Sequence, residues 1–183
     1  MSEEYLVKKG APTLAGLKSA NLFSCAYGSK KCLFREIAAI NRVIVKKGLR
    51  LIPLRFRGGR ARLYLYRPAM LGRDLARPEA ALLLKEAGYP EPGRNRCLAE
   101  LTRRLREGGG FPHEIGLFLS YPAEDVRGFI EQGAAGSKYC GAWQVYGDVT
   151  RAQSLFAAYK NCTARWVDRY HRGVPLEALT ESD

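Results

Sequence analysis

Residues 30–67 read KKCLFREIAAINRVIVKKGLRLIPLRFRGGRARLYLYR, and this stretch decides the fold. Leu33, Ile37, Ile40 and Ile44 recur at the i, i+4, i+7, i+11 spacing of one helical face, which predicts a helix from Lys30 to Lys47 ended by Gly48. At about 100° per residue, Lys31, Arg35, Arg42 and Lys46 fall within about 60° of one another, opposite that apolar stripe. Arg50 to Arg57 and Ala61 to Arg67 then read as two strands around Gly58-Gly59, a dipeptide that accepts the positive φ of a tight hairpin. Pro53 marks the first as an edge strand. Alternation places Ile52, Leu54 and Phe56 on one face and Arg55 and Arg57 on the other, and sets Arg62, Tyr64 and Tyr66 together.

Outward from this segment, Pro12 to Gly16 predicts a short helical turn and Asn21 to Tyr27 a strand. Between Pro68 and Gly109 the pattern is helical, with loops at Arg77-Pro78 and from Gly88 to Gly93. Glu114 to Ser120 is strand-like, Pro122 suits the first position of a helix, Ala142 to Tyr146 is a further strand, and helix runs from Val149 to about Arg172. The expectation is an α+β fold in one domain over residues 1–183, with a mainly antiparallel or mixed sheet of about five strands flanked by roughly six or seven helices.

The chain has 183 residues, 46% of them hydrophobic, with 30 Lys+Arg against 18 Asp+Glu and a net charge of +12. That composition excludes disorder, collagen and coiled coil. No apolar run approaches the roughly 18 residues of a membrane span, and the acidic start Met1-Ser2-Glu3-Glu4 lacks a signal-peptide pattern, so a cytoplasmic protein is expected. The charge is uneven. Residues 1–92 carry eighteen basic and seven acidic side chains, and residues 30–67 twelve basic against Glu36 alone. A cationic ridge of Lys31, Arg35, Arg42 and Lys46, with Arg55, Arg57, Arg62, Tyr64, Tyr66 and Arg67 on the hairpin, offers phosphate contacts and aromatic faces. A solvated basic face with packed tyrosines is the plain alternative.

Cys25, Cys32, Cys97, Cys140 and Cys162 form no C-x-x-C pair and match no zinc spacing, and with two histidines, His113 and His171, no metal site is expected. No motif specifies a cofactor. Templates for hydrolase, phosphate-loop, dinucleotide and zincin chemistry are absent; His113-Glu114 begins like a zincin motif, but Phe118 stands where the second histidine must be. Gly108-Gly109-Gly110 reads as a helix cap and connector or as a ligand-approaching loop.

Several segments together resemble a bacterial family catalogued as domain of unknown function 3793: Ala11-Pro12-Thr13-Leu14-Ala15-Gly16-Leu17-Lys18 with Asn21-Leu22-Phe23, Leu65-Tyr66-Arg67-Pro68, Phe111-Pro112-His113-Glu114-Ile115-Gly116, Trp143-Gln144-Val145-Tyr146-Gly147-Asp148, and Tyr159-Lys160-Asn161-Cys162-Thr163. The resemblance runs from about residue 5 to about residue 180 and implies no established activity. It implies a link to redox or iron metabolism in an anaerobic bacterium. Family members commonly carry His-Cys where this chain has Lys9-Gly10, and extra cysteines around Cys140 where it has Ser137, Tyr139 and Ala142. Cys162 keeps the family pattern.

Three functions follow as expectations. The first is an accessory binding protein whose basic surface docks an acidic redox protein such as a flavodoxin, or an anionic cofactor. The second is a thiol- or histidine-dependent enzyme, or a haem- or metal-binding protein, built on Cys162 or Cys140 with His113 and Glu114. The third is a nucleic-acid-binding module using the same cations and tyrosines.

Overall fold

A computed structural model describes residues 1–90, 93–107 and 110–182. Glu91-Pro92 and Gly108-Gly109, which fall in two of the expected loops, lie outside the described residues. The chain divides into two compact units, Met1–Met70 with Tyr159–Asp183, and Leu71–Ala158.

In the first unit, Ser2 caps helix α1 (Glu3–Leu14) by accepting from the Tyr5 amide, and Glu3 and Glu4 sit at its positive end. The expected short turn at Pro12 is the last turn of this longer helix. Strand β1 (Ala20–Ala26) follows, and then α2 (Lys30–Ile44), capped by Ser29 and continued as a 3-10 turn, Val45–Lys47, to Gly48 at φ +81°. The hairpin is β2 (Arg50–Arg57) and β3 (Arg60–Tyr66), turning at Gly58 and Gly59 with φ of +54° and +68°. The sheet is antiparallel in the order β1-β3-β2, so β2 lies at an edge, as Pro53 predicts.

Leu33, Ile37, Ile40 and Ile44 are buried in one cluster with Leu51, Leu63 and Leu65 of the sheet, with Leu6, Ala11 and Leu14 of α1, and with Trp166 and Leu179 near the C-terminus. Asn41 of α2 serves the exposed edge of β2: its amide donates to Leu51 O at 2.8 Å while its oxygen accepts from Leu51 N at 2.9 Å. One expectation fails here. A register shift between Pro53 and Arg55 turns Ile52 to the face of Arg55 and leaves Phe56 with Leu51, so Ile52 and Phe56 do not share a face.

In the second unit lie most of α3 (Pro68–Leu75), then α4 (Pro78–Glu86), α5 (Arg94–Glu107), α6 (Ala123–Gln132), a ribbon of β4 (Tyr139–Cys140) and β5 (Gln144–Val145), and the start of α7 (Val149–His171). The expected strand at Glu114–Ser120 is instead a tight 3-10 segment, His113–Leu119, buried from Glu114 to Leu119. A short apolar run buried on all sides carries no periodicity to separate strand from helix. Gly116 permits the close approach to α6, since a Cβ there would meet Val126 Cγ2 at 2.6 Å. The strand expected over Ala142–Tyr146 contracts to two residues. Among the described residues the five strands form separate sheets of three and two, not one sheet of five. Among the described residues no helix is long and apolar enough to cross a membrane.

Arg67 ties the first unit together. Only 1% exposed, it donates from Nε to Thr13 O at 2.7 Å and from Nη2 to Leu14 O and Glu181 O, both at 2.8 Å, placing a cation on the final carbonyls of α1. Replacing it with Met removes three charge-assisted hydrogen bonds, although Thr13 O and Leu14 O still accept from Gly16 N and Glu181 N, so Arg67→Met lowers the unfolding free energy by about 2 kcal/mol in urea titration, and Arg67→Lys recovers part of that loss. A change below about 0.5 kcal/mol contradicts this role.

Candidate functional site

The basic surface forms in two parts. On α2 the apolar stripe faces the core, and Lys31, Arg35 and Arg42, with Lys46 on the 3-10 turn that continues the helix, are all exposed. Glu36, the acid of this stretch, is engaged by the Met1 ammonium group. The first turn of α2 contains Lys30 and Lys31 and no acid, the reverse of what a helix dipole favours.

The hairpin cations lie on the other face of the sheet. Cross-strand register pairs Arg55 with Arg62 and Arg57 with Arg60, and puts Tyr64 and Tyr66 on that same face, as alternation predicts. The two tyrosines are nonetheless buried, with their rings stacked on each other at 5.0 Å. They offer no open platform for a base or a flavin. Arg67, buried as described, is a structural cation and not part of a docking surface. The ridge and the hairpin arginines therefore belong to opposite sides of the first unit.

The thiol and histidine candidates do not form one set. Cys162 sits in the core of the first unit, 5% exposed, and burial pushes its thiol up to about 11, away from the thiolate a nucleophile requires. Cys140 is exposed on β4 of the second unit, with Gln144 Nε2 at 3.3 Å from its sulfur. Glu114 is buried between Tyr89, whose hydroxyl donates to it at 2.9 Å, and Arg104 at 3.1 Å. Desolvation and the Glu114 carboxylate raise Tyr89, holding its phenol protonated. His113, one residue away, packs instead on Phe129 at 4.9 Å. Among the described residues no group of three or more His, Cys, Asp and Glu is placed to hold a metal. Lys9-Gly10, where the family resemblance implies His-Cys, is no open thiol site: a Cβ on Gly10 would meet Leu65 Cδ2 at 2.5 Å.

What sequence reasoning missed is a cleft of about 290 Å³ in the second unit. Phe111, His113, Tyr121, Phe129 and Trp143 line it, together with Asp125. Tyr121 stacks on Trp143 at 4.7 Å, and burial raises the Tyr121 phenol. Asp125 fixes the construction. Its Oδ2 accepts from Trp143 Nε1 at 2.7 Å, and its Oδ1 accepts from the amides of Tyr146 and Gly147 at 2.7 and 2.8 Å. Gly128 allows Tyr146 to close in, since a Cβ would lie 2.3 Å from that ring. The signal in the sequence was the density of aromatic residues between Phe111 and Tyr146, dispersed over two helical segments and a ribbon.

Burial sets the order of thiol reactivity. Under native conditions iodoacetamide modifies Cys32 and Cys140 first, while Cys25, Cys97 and Cys162 react only in denaturant, as peptide mass spectrometry reads directly. Early modification of Cys162 would revive the thiolate reading.

No curated protein and no solved structure matches this chain. The family described as "Protein of unknown function (DUF3793)" matches residues 6–180. The segments built into α1, the 3-10 segment, the ribbon and α7 thus lie in one continuous match, and the chain belongs to that family.

Proposed function

We propose that this protein is a non-catalytic accessory protein that docks an acidic protein surface on the outer face of α2. The observation that carries this reading is the exposure of Lys31, Arg35, Arg42 and Lys46 along one side of a helix whose other side is fully committed to the core. Fifteen residues at about 1.5 Å each spread these charges over about 22 Å, as two pairs about 6 Å apart along the axis and separated by about 10 Å, so that potentials add within each pair at the roughly 8 Å screening length of physiological salt and overlap in part between the pairs. A like-charge pair at i, i+4 destabilises a helix by about 0.2–0.5 kcal/mol, and one such pair, Lys31/Arg35, lies within α2, with Arg42 and Lys46 at the same spacing across its 3-10 end. A ridge kept at that cost suits recognition.

A convex helix face offers no enclosure for a phosphate-bearing cofactor, which favours a protein partner. The family resemblance supports a redox partner of the flavodoxin kind, whose surface is generally acidic. Five unpaired thiols support a reducing, cytoplasmic setting. The burial of Tyr64 and Tyr66 removes the stacking element on which the nucleic-acid reading relied.

With a holo-flavodoxin as probe, the variant carrying Lys31→Glu, Arg35→Glu, Arg42→Glu and Lys46→Glu loses at least roughly tenfold in affinity, with an unchanged circular dichroism spectrum. Arg55→Glu with Arg62→Glu, on the other sheet face, leaves binding within about twofold. Equal binding by the ridge variant overturns the proposal, and tighter retention of duplex RNA than of the acidic protein transfers the ridge to nucleic acid.

A further inference from the structure

The cleft in the second unit has a chemistry of its own, separate from the basic ridge. We infer that it binds a small organic cation of the methylated-ammonium class. Two aromatic groups line it: Tyr121 with Trp143, stacked at 4.7 Å, and His113 with Phe129 and Phe111, at ring separations of 4.9 and 5.8 Å. Ring faces carry negative quadrupole density and attract a cation whose hydration shell is weak, which is the property that methyl groups confer on ammonium.

The local charge agrees. Residues 110–148 carry five acidic side chains and two basic ones in a chain of net charge +12. Neither of those two lines the cleft. Arg127 pairs with Glu86 and Glu131, and Lys138 donates to Gly147 O at 3.3 Å. Asp125 is the acid on the cleft wall, 3% exposed, and its partners are three neutral N–H donors. Those donors stabilise a carboxylate without cancelling its charge, so the negative potential extends into a low-dielectric cleft. An anion or a phosphate would meet Asp125 unfavourably, and a purely apolar ligand would leave its field unused. About 290 Å³ is at the small end of ligand sites and suits a trimethylammonium head with a short tail.

The experiment titrates the full chain with choline and, separately, with 3,3-dimethyl-1-butanol, in which carbon replaces the charged nitrogen at nearly the same shape. The readouts are the Trp143 indole N–H resonance and calorimetry. Choline is expected to saturate with a Kd of about 1 mM or tighter, and the neutral isostere to bind at least roughly tenfold more weakly. Phe129→Leu, which keeps apolar bulk but removes a ring, weakens choline roughly three- to tenfold. Phe111→Ala, at a side chain 48% exposed and therefore of little consequence for folding, weakens it in the same direction. Equal affinity for the two probes reduces the cleft to an apolar pocket and overturns the inference, as does the absence of any saturable shift of Trp143.

Discussion

The burial of one helical stripe against one sheet face governs the first unit. Leu33, Ile37, Ile40 and Ile44 lie in the same cluster as Leu51, Leu63 and Leu65, and each such side chain contributes about 1.5–3 kcal/mol on leaving water. Against that gain, the repulsion among the cations on the outer side amounts to a few tenths of a kcal/mol per pair. The stripe wins by a wide margin, and its geometry leaves the ridge no alternative to solvent. Asn41 extends the same constraint to the edge of β2, where it satisfies both backbone groups of Leu51. The position of the cations thus follows from the packing of the apolar side chains 180° away.

The two units differ in electrostatic character. Of the ionisable side chains, the first unit holds nineteen basic and seven acidic, and the second eleven of each. Buried charge is handled differently as well. Arg67 is held by three main-chain carbonyls in the first unit, and Asp125 by an indole and two main-chain amides in the second. In each arrangement the buried ion meets polar backbone groups, which avoids orphaned polar atoms. In the second unit this organises the Trp-x-Val-Tyr-Gly-Asp segment around α6, so much of the family signature there is explained by packing and hydrogen bonding.

The legibility of the sequence followed periodicity. The α2 stripe, Gly48 as its terminator, the Gly58-Gly59 turn and the edge position of β2 could all be read because each rests on a local rule with a fixed spacing. The shift at Pro53 could not, because it depends on how an edge strand accommodates a residue without an N–H. The 3-10 segment at His113–Leu119 was hidden by its burial on every side, which erases alternation. The candidate site was half legible. The ridge appeared at once as charges on a helical wheel, whereas the burial of Tyr64, Tyr66 and Arg67 is tertiary and left no local mark. The aromatic cleft was missed because its walls come from segments about 30 residues apart, and Asp125 looked like an ordinary acid in the first turn of a helix.

The role proposed for the outward face of α2 is to meet an acidic protein. Stopped-flow association with a holo-flavodoxin, followed from about 10 mM to about 1 M ionic strength, tests it most directly, because this range takes the screening length from about 30 Å to about 3 Å. The association rate constant is expected to fall steeply, by at least roughly tenfold, while dissociation changes little. A rate independent of salt would contradict it.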